Sequence, residues 1–301
     1  MAEDTEFLPK ADVLGLEELA RLSAVFISLG VRKLRLTGGE PLVRRDIMRL
    51  IGALGAHVAS GQLEELTLTT NGTQLSHHAQ GLAQAGIRRI NVSLDSLDPA
   101  LFHQITRRGE LAPVLAGIRA AKAAGLAVKI NTVVMGGVND QEIDRLIAWC
   151  GEEGHDLSLI EAMPLGAFST GPAFQPLPLS VLRGRLAQRW SFAATDYSSG
   201  GPARYVNILQ TGRRLGFITP LSHGFCESCN RVRVSCTGRL FLCLGHETGT
   251  DLRQPLRASA SDEPLREAIR QAIGHKPEGH DFVARRANRQ PLARTMNHTG
   301  G

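Results

Sequence analysis

The sequence is poor in aromatic residues, has few cysteines and contains no long apolar run. Aromatic residues make up 5% of its 301 residues, so a large aromatic platform for stacking nucleic-acid bases is not expected. No apolar segment approaches the roughly 20 residues that span a bilayer. The acidic start MAEDTEFLPK also lacks the apolar core of a signal peptide. These absences predict a cytoplasmic protein that has no membrane segment.

The charge balance favours anionic ligands without indicating nucleic acid. The formal net charge is +5, and the basic residues are spread along the chain instead of forming one patch. Phosphorylated small molecules fit this distribution, and we predict neither nucleic-acid nor membrane binding. With 43% hydrophobic and 21% charged residues, the composition is that of an ordinary globular protein.

The first half of the chain repeats a strand, loop and helix pattern. Short apolar segments that run into polar or glycine-containing loops occupy residues 32–41, 64–73, 87–96, 127–140 and 156–166. Between them, apolar residues recur at helical spacing. This order predicts parallel strands in an α/β sheet or barrel, and ligands of such folds bind where the polar strand ends meet. The pattern changes near residue 190, so we predict one domain over residues 1–190 and a smaller one over residues 191–301.

Four of the five cysteines lie in one stretch, HGFCESCNRVRVSCTGRLFLC at residues 223–243. This clustering indicates a metal site in a reducing compartment and not a disulfide framework. Four thiolates would close a structural zinc site, whereas three would hold an iron–sulfur cluster or a zinc with an open position. The fifth cysteine, Cys150 in LIAWC, is predicted to be core.

Several polar residues near the strand ends are candidates for ligand binding. The glycines of TGGEP at 37–41 permit close backbone approach, and Glu40 either holds an ammonium group or caps the next helix. The hydroxyls and amides of TTNG at 69–72 and SLD at 93–95 suit sugar or carboxylate groups, or serve as helix caps. Met163 is by itself more typical of core packing.

Basic residues on predicted strands form a second set of candidates. Lys129 lies inside the apolar segment AVKINTVV, so it needs a partner or a water-filled interior. Arg35 precedes TGGEP, and the alternative to a binding role is that it is a solvated arginine at the edge of the sheet. Arg231 and Arg233 alternate in NRVRVS, so a strand would project both from one face toward a triphosphate, with an exposed basic edge as the alternative.

Taken in order, these motifs resemble one family along the whole chain. RLTGGEP, TTNG, NVSLDSLD, VKINTVVMGGVND, IEAMPLG, GPARY, FCESCNRVRVSCTGRLFLCL and the terminal Gly300 and Gly301 are similar to the GTP 3′,8-cyclases of molybdenum-cofactor biosynthesis, which are radical S-adenosylmethionine enzymes. The resemblance implies an incomplete (β/α)6 TIM-like barrel, here without its first strand. A C-terminal α+β extension carries a second [4Fe-4S] cluster and closes the open end.

The resemblance also implies roles for individual residues. It places S-adenosylmethionine at Gly39, Ser93 and Met163. It places GTP at Arg35, Thr69, Lys129, Arg231 and Arg233. It assigns the second [4Fe-4S] cluster to Cys226, Cys229 and Cys243, with an open iron facing the guanine and with Cys236 not needed as a ligand. The tail residues Gly300 and Gly301 are expected to reach the active site.

The reaction implied by the resemblance is a radical cyclisation. A first cluster reduces S-adenosylmethionine, the 5′-deoxyadenosyl radical removes the C3′ hydrogen of GTP, and C3′ attacks C8 of guanine. Reduction gives (8S)-3′,8-cyclo-7,8-dihydroguanosine 5′-triphosphate. The implied partners are an electron donor, a downstream pterin-forming synthase and a second copy of the chain in a homodimer.

One element of the family pattern is not found in these 301 residues. The family carries CxxxCxxC at its first strand, and MAED resembles the residues that follow the third cysteine. We therefore expect this form to lack the first cluster and to make no 5′-deoxyadenosine. We attribute the missing motif to a start codon assigned too far downstream or to a truncated chain, so the enzyme is still the predicted function. The alternatives are a non-catalytic family remnant that binds GTP and one metal centre, and a four-cysteine zinc module.

Overall fold

The computed structural model describes residues 8–163, 177–222, 226–227 and 229–279. Its α-helices are α1 Leu16–Ser28, α2 Ile47–Ala59, α3 Leu75–Gln84, α4 Pro99–Thr106, α5 Leu111–Ala123, α6 Ile143–Glu153, α7 Leu179–Leu186, α8 Arg253–Ala258 and α9 Glu263–Gly274. Its strands are β1 Lys33–Leu36, β2 Glu65–Thr70, β3 Arg89–Ser93, β4 Ala127–Val134, β5 Asp156–Glu161, β6 Phe192–Ala194, β7 Arg204–Ile208, β8 Arg213–Ile218, β9 Arg233–Val234, β10 Arg239–Phe241 and β11 Thr250–Asp251.

The main sheet has eight strands in the order β1-β2-β3-β4-β5-β8-β7-β6. Strands β1 to β5 are parallel, and β8 joins β5 in the same direction. Strands β7 and β6 then pair antiparallel. The five predicted strands and the α/β class are confirmed, and helices follow the parallel strands as in an incomplete TIM-like barrel.

The two faces of the parallel strands differ in polarity. On one face, buried aliphatic side chains such as Leu68, Ile90, Ile130 and Leu159 pack in the main core with the surrounding helices. Residues of the opposite register, including Thr69, point to the other face. Because parallel sheets covered on both sides are normally apolar on both faces, a polar inner face indicates an interior that holds water or a ligand.

A second apolar core joins the start of the described chain to its end. Helix α1 contributes Leu22 and Phe26 to this core, and Leu14 just before the helix joins them. They pack against C-terminal residues, which are Leu240, Leu252, Leu256, Leu265, Ile269 and Ala272. Helix α1 therefore anchors the C-terminal region, which also contains a small sheet in the order β11-β10-β9.

The C-terminal region also contributes to the main sheet, because β6, β7 and β8 extend the sheet that β1 to β5 begin. The division at residue 190 stays a prediction. Across the described ranges, no helix combines the length and the apolar character that a membrane crossing requires.

Candidate functional site

The inner face of the sheet brings polar side chains of neighbouring strands into register. Thr69 on β2 pairs with Asn91 on β3, and Asn91 pairs with Lys129 on β4. One step toward the strand ends, Ser93 pairs with Asn131. Because paired residues of adjacent strands project to the same face, these side chains share the inner face of the sheet, and we call the space in front of them the barrel pocket. The structure thus brings together the predicted residues Thr69, Lys129 and Ser93.

Lys129 is the most deeply buried cation of this pocket, with 6% of its surface exposed. Its Nζ donates a hydrogen bond to the phenol oxygen of Tyr205 on β7, at 3.3 Å. Burial lowers the pKa of Lys129, the positive charges of Arg35 and Arg89 lower it further, and Tyr205 opposes them. The prediction that this lysine needs a partner or an open interior is confirmed.

Arg35 on β1 connects the pocket to the cysteine region. Its side chain is exposed, yet loss of hydration lowers its pKa, followed by the charges of Arg89 and Arg231. These two observations agree if the guanidinium lies inside a lumen that is open to solvent. Arg231 therefore lies within electrostatic range of the barrel interior.

Several polar atoms of the inner face are buried without a hydrogen-bond partner. They include Thr69 Oγ1, Asn91 Oδ1, Asn131 Oδ1 and one terminal nitrogen of Arg89. Arg89 uses its other nitrogens to bind Glu65, at 2.7 and 3.1 Å. Buried polar atoms are normally satisfied, so this cluster is typical of a pocket whose ligand supplies the missing hydrogen bonds.

The loops at the carboxyl ends of the strands are tied together by Glu40. Its carboxylate accepts hydrogen bonds from the Thr70 hydroxyl, at 2.8 and 2.9 Å, and from the amides of Asn71 and Leu42. Of the two roles considered for Glu40, the structure shows the cap. Gly38, with φ of +143°, occupies backbone space that favours glycine and presents the neighbouring Gly39 at this edge.

The other residues predicted for this edge, Ser93 and Met163, lie at or just beyond the ends of their strands. Ser93 is exposed at the end of β3, and Met163 is half-buried two residues beyond β5. Asp95 accepts a hydrogen bond from the amide of Val133, at 2.8 Å. Burial raises the pKa of Asp95 to about 6, and the Val133 hydrogen bond opposes this shift. Gly39, Ser93 and Met163 thus occupy strand ends of one sheet edge.

Cys226 and Cys229 lie on one turn, in which the amide of Cys229 donates to the carbonyl of Cys226, at 3.0 Å. Lys276, after α9, donates to the carbonyls of Arg231, at 3.0 Å, and Leu242, at 2.6 Å. These two bonds hold the chain after Cys229 beside the chain before Cys243. The three assigned cysteines are therefore brought into one region.

The electrostatics around Cys229 favour its thiolate form. Burial raises the pKa of Cys229, but the hydrogen bond from the Arg231 backbone and the charges of Arg231 and Lys276 outweigh it, so the net shift is downward. Within the described ranges, no three His, Cys, Asp or Glu side chains group closely enough to share one metal ion. An all-sulfur donor set fits an iron–sulfur cluster, in which each thiolate binds its own iron.

The other two cysteines lie elsewhere. Cys236 is exposed in the turn between β9 and β10, and its carbonyl accepts a hydrogen bond from the Leu14 amide, at 2.8 Å. That turn is the closed end of the hairpin, away from Lys276, so a site formed by all four clustered cysteines has no support. Cys150 is buried on α6 and burial raises its pKa, which confirms that it is core.

Some predicted features differ from the structure or lie outside it. The strand expected over NRVRVS is reduced to Arg233 and Val234, so Arg231 precedes β9, and the shared face of the two arginines stays a prediction. Gly300 and Gly301 lie outside the described residues. Arg89, Asn91 and Tyr205 were not singled out as site residues. Their signal was present in the polar alternation of RRINVS and in the tyrosine of GPARY.

Comparisons with known proteins agree with this arrangement. Residues 2–150 match the model of the Radical SAM superfamily, and residues 155–282 match that of Molybdenum Cofactor Synthesis C. The GTP 3′,8-cyclase of Nitrobacter hamburgensis is 59% identical over 301 residues, covering 100% of this chain and 88% of that protein. The GTP 3′,8-cyclase of Paracoccus denitrificans is 57% identical over 303 residues, with the same coverage.

A solved structure supports the fold alone. Streptococcus suis SuiB bound to S-adenosylmethionine superposes with a TM-score of 0.63 at 16% identity, covering 99% of this chain and 71% of that one. The polar barrel interior, the cysteine region beside it and the full-length similarity lead to one assignment. The chain belongs to the GTP 3′,8-cyclase family of the radical SAM superfamily.

Proposed function

We propose that this chain is a GTP 3′,8-cyclase of molybdenum-cofactor biosynthesis, which joins C3′ of GTP to C8 of its guanine. The observation that carries the proposal is that Arg231 lies close enough to Arg35 for its positive charge to lower the pKa of the Arg35 guanidinium. Arg231 follows the CxxC turn, and Arg35 lies on the inner face of β1. One ligand that spans these two positions would touch both the cysteine region and the barrel interior.

The barrel interior supplies the groups that a nucleoside triphosphate requires. Arg35, Lys129, Arg231 and Arg233 provide positive charge, and charge-assisted hydrogen bonds to phosphate are the strongest class available to side chains. The unpartnered Thr69 hydroxyl adds a further contact. Together these groups would fix the triphosphate, so that the ribose and the guanine are held for closure onto one another.

The strand-end residues form the proposed S-adenosylmethionine site. Gly39 offers backbone without a side chain, Ser93 offers an exposed hydroxyl, and Met163 lies beyond β5. Their position at the carboxyl edge of parallel strands is the usual ligand edge of such folds. We assign the methionine and ribose portions of S-adenosylmethionine to this edge.

Cys226, Cys229 and Cys243 would hold the second [4Fe-4S] cluster, which would supply an open iron for the guanine. The lowered pKa of Cys229 fits this role, and Cys236 is left outside it. A first cluster does not fit the residues present, because outside this region these 301 residues hold only Cys150, which is buried in the core, so we expect them to bind GTP without cyclising it.

The finer assignments belong to the same proposal. The product would pass to a pterin-forming synthase, and the reaction would need an electron donor. We place the Gly300 and Gly301 tail at the active site, the enzyme in a homodimer and the location in the cytoplasm. The domain division proposed is 1–190 and 191–301.

Nucleotide titration of the chain, anaerobically reconstituted with iron and sulfide, tests the proposal. GTP is expected to bind, ATP to bind more weakly, and iron analysis to show iron and not zinc. Arg35→Ala, Arg231→Ala and Arg233→Ala are each expected to weaken GTP binding by about 1.5 to 3 kcal/mol, because each removes a charge-assisted bond. Lys122→Ala is the control, since Lys122 forms an exposed pair with Glu153.

The outcomes separate the competing functions. Colourless protein that contains zinc, or equal affinity for GTP and ATP, would overturn the cyclase proposal. Full GTP affinity in all three arginine variants would overturn the assignment of the barrel interior as the triphosphate site.

A further inference from the structure

We propose that Tyr205 is a positioning residue for GTP binding, which holds the ammonium group of Lys129 protonated and directed into the barrel pocket. This inference rests on the proposed function, because it takes the triphosphate as the ligand of Lys129. Tyr205 lies on β7, outside the parallel strands that carry the assigned GTP residues Arg35, Thr69 and Lys129. It would therefore couple the C-terminal part of the sheet to the substrate site.

The direction of the hydrogen bonds supports this role. The Tyr205 hydroxyl donates its proton to Ser199 Oγ, at 3.1 Å. Its oxygen is then left to accept the bond from Lys129 Nζ, at 3.3 Å. A phenol has one proton, so an arrangement in which that proton is already used favours a charged donor at the oxygen. The phenol oxygen thus stabilises the ammonium form more than the neutral amine, because a charged donor makes the stronger hydrogen bond.

The surroundings of Lys129 make such a stabilising group necessary. Burial and the positive charges of Arg35 and Arg89 all disfavour its protonated form, and the hydrogen bond to the Tyr205 oxygen opposes them. The carboxylate at the register position opposite Lys129 is Asp156, and it is bound by Arg214 at 2.7 Å. Glu65 is bound by Arg89. Asp156 and Glu65 therefore form their ion pairs with arginines and not with Lys129.

The position of the Tyr205 ring is fixed from two sides. Tyr197 contacts it edge to face, with ring centroids 5.0 Å apart, and Arg214 lies 3.7 Å over the Tyr197 ring. On the sheet, Gly216 pairs with Tyr205, and a Cβ at Gly216 would lie 2.8 Å from the Tyr205 ring. Only glycine at position 216 leaves room for the Tyr205 ring, so Gly216 allows the ring to take this position.

Ser199 extends the contact to the opposite end of the barrel. A cavity of about 1040 Å³ lies there, and it is lined by Ser199, Tyr197, Arg89 and Glu65 among others. Two hydrogen bonds therefore connect this cavity to Lys129, one from Tyr205 to Ser199 and one from Lys129 to Tyr205. They hold the Lys129 ammonium group from the side of the barrel opposite the strand-end loops.

GTP titration over a range of pH tests the inference. Tyr205→Phe keeps the ring and removes the phenol oxygen, so the affinity for GTP is expected to fall on the order of 3- to 10-fold at about pH 7. The pKa of Lys129 is expected to fall as well. Because only the protonated amine pairs with phosphate, the loss of binding on raising the pH toward about 10 should begin at lower pH than in the unmodified chain.

Two controls separate positioning from a general structural effect. Tyr197→Phe removes a hydroxyl from the same cluster but keeps the Lys129 bond, so affinity and pH profile should not change. In a Lys129→Ala background, Tyr205→Phe should have no further effect, because the two changes remove one interaction. If Tyr205→Phe does not fold, as judged by thermal unfolding, Ser199→Ala is used, and it should shift the pH profile in the same direction.

Each failure has a distinct meaning. If the unmodified chain does not bind GTP, the proposed function is overturned. If it binds GTP but Tyr205→Phe leaves affinity and pH profile unchanged, or if the effects of Tyr205→Phe and Lys129→Ala simply add, the positioning role is overturned while the function stands.

Discussion

Asp95, at the ligand edge of the sheet, destabilises the fold when it is charged. Its pKa is raised by burial to about 6, above the value of 3.8 for an unperturbed aspartate. The folded state therefore holds this proton more tightly than the unfolded state, and stability falls as the pH rises from about 4 through 6. A half-buried carboxyl with a raised pKa at a binding edge is a common feature of functional sites.

Asp95→Asn should accordingly stabilise the protein at high pH. The carboxamide oxygen still accepts the Val133 amide bond but carries no charge. We expect a gain on the order of 2 kcal/mol larger at about pH 8 than at about pH 4.5, from a pKa difference of about two units. Thermal unfolding of both proteins at the two pH values measures it. The same gain at both values would show that charge is not the cause.

Single residues also show how far sequence could lead to the site. Lys129 was predictable because a lysine inside an apolar strand is costly unless it has a partner. Tyr205 was not, because its role depends on β7 lying beside β8, and no local pattern states which strands are neighbours. Arg89 was not predictable either, because its ion pair with Glu65 depends on β2 and β3 being neighbours in the sheet.

At the scale of elements, the parallel strands were predictable and the short C-terminal strands were not. Each of β1 to β5 has an apolar register and ends in a polar loop, which is a strong local signal. Strands β6 to β8 and β9 owe their existence to neighbours, and β9 has only two residues. Edge pairing and hairpin register are set by tertiary contacts, which sequence periodicity does not encode.

The segment after α9 should be needed for the cysteine region to hold iron. Lys276 binds the carbonyls of Arg231 and Leu242 and adds positive charge near Cys229. Lys276→Met should therefore lower iron affinity on the order of tenfold, as loss of supporting contacts does in other metal sites. Iron per chain after reconstitution and gel filtration is the measurement, with Lys122→Ala as the control. Unchanged iron retention would exclude a supporting role for Lys276.

At the scale of the whole molecule, helix α1 connects the two ends of the described chain. It packs against α8, α9 and β10 through the second core, and ion pairs surround the contact, such as Arg21 with Asp262 and Arg257 with Glu18. Exposed ion pairs contribute about 0 to 1 kcal/mol each. The apolar contact must therefore supply most of the stability that keeps the C-terminal region, with its cysteines, against the barrel.

Leu22→Ala tests this view of the molecule. Leu22 is 3% exposed in the second core, and truncating a buried leucine costs about 2 to 5 kcal/mol. Chemical denaturation should show that loss, and iron retention should fall with it, because the cysteines lie in the region that Leu22 helps to anchor. Arg253→Ala, which removes the ion pair with Asp12 and the hydrogen bond to the Asp12 carbonyl, should cost about 1 kcal/mol, less than Leu22→Ala. If Arg253→Ala cost as much as Leu22→Ala, the ion pairs and not the apolar core would join α1 to the C-terminal region. If Leu22→Ala destabilised the fold but left iron retention intact, the cysteine region would be held by the barrel independently of α1.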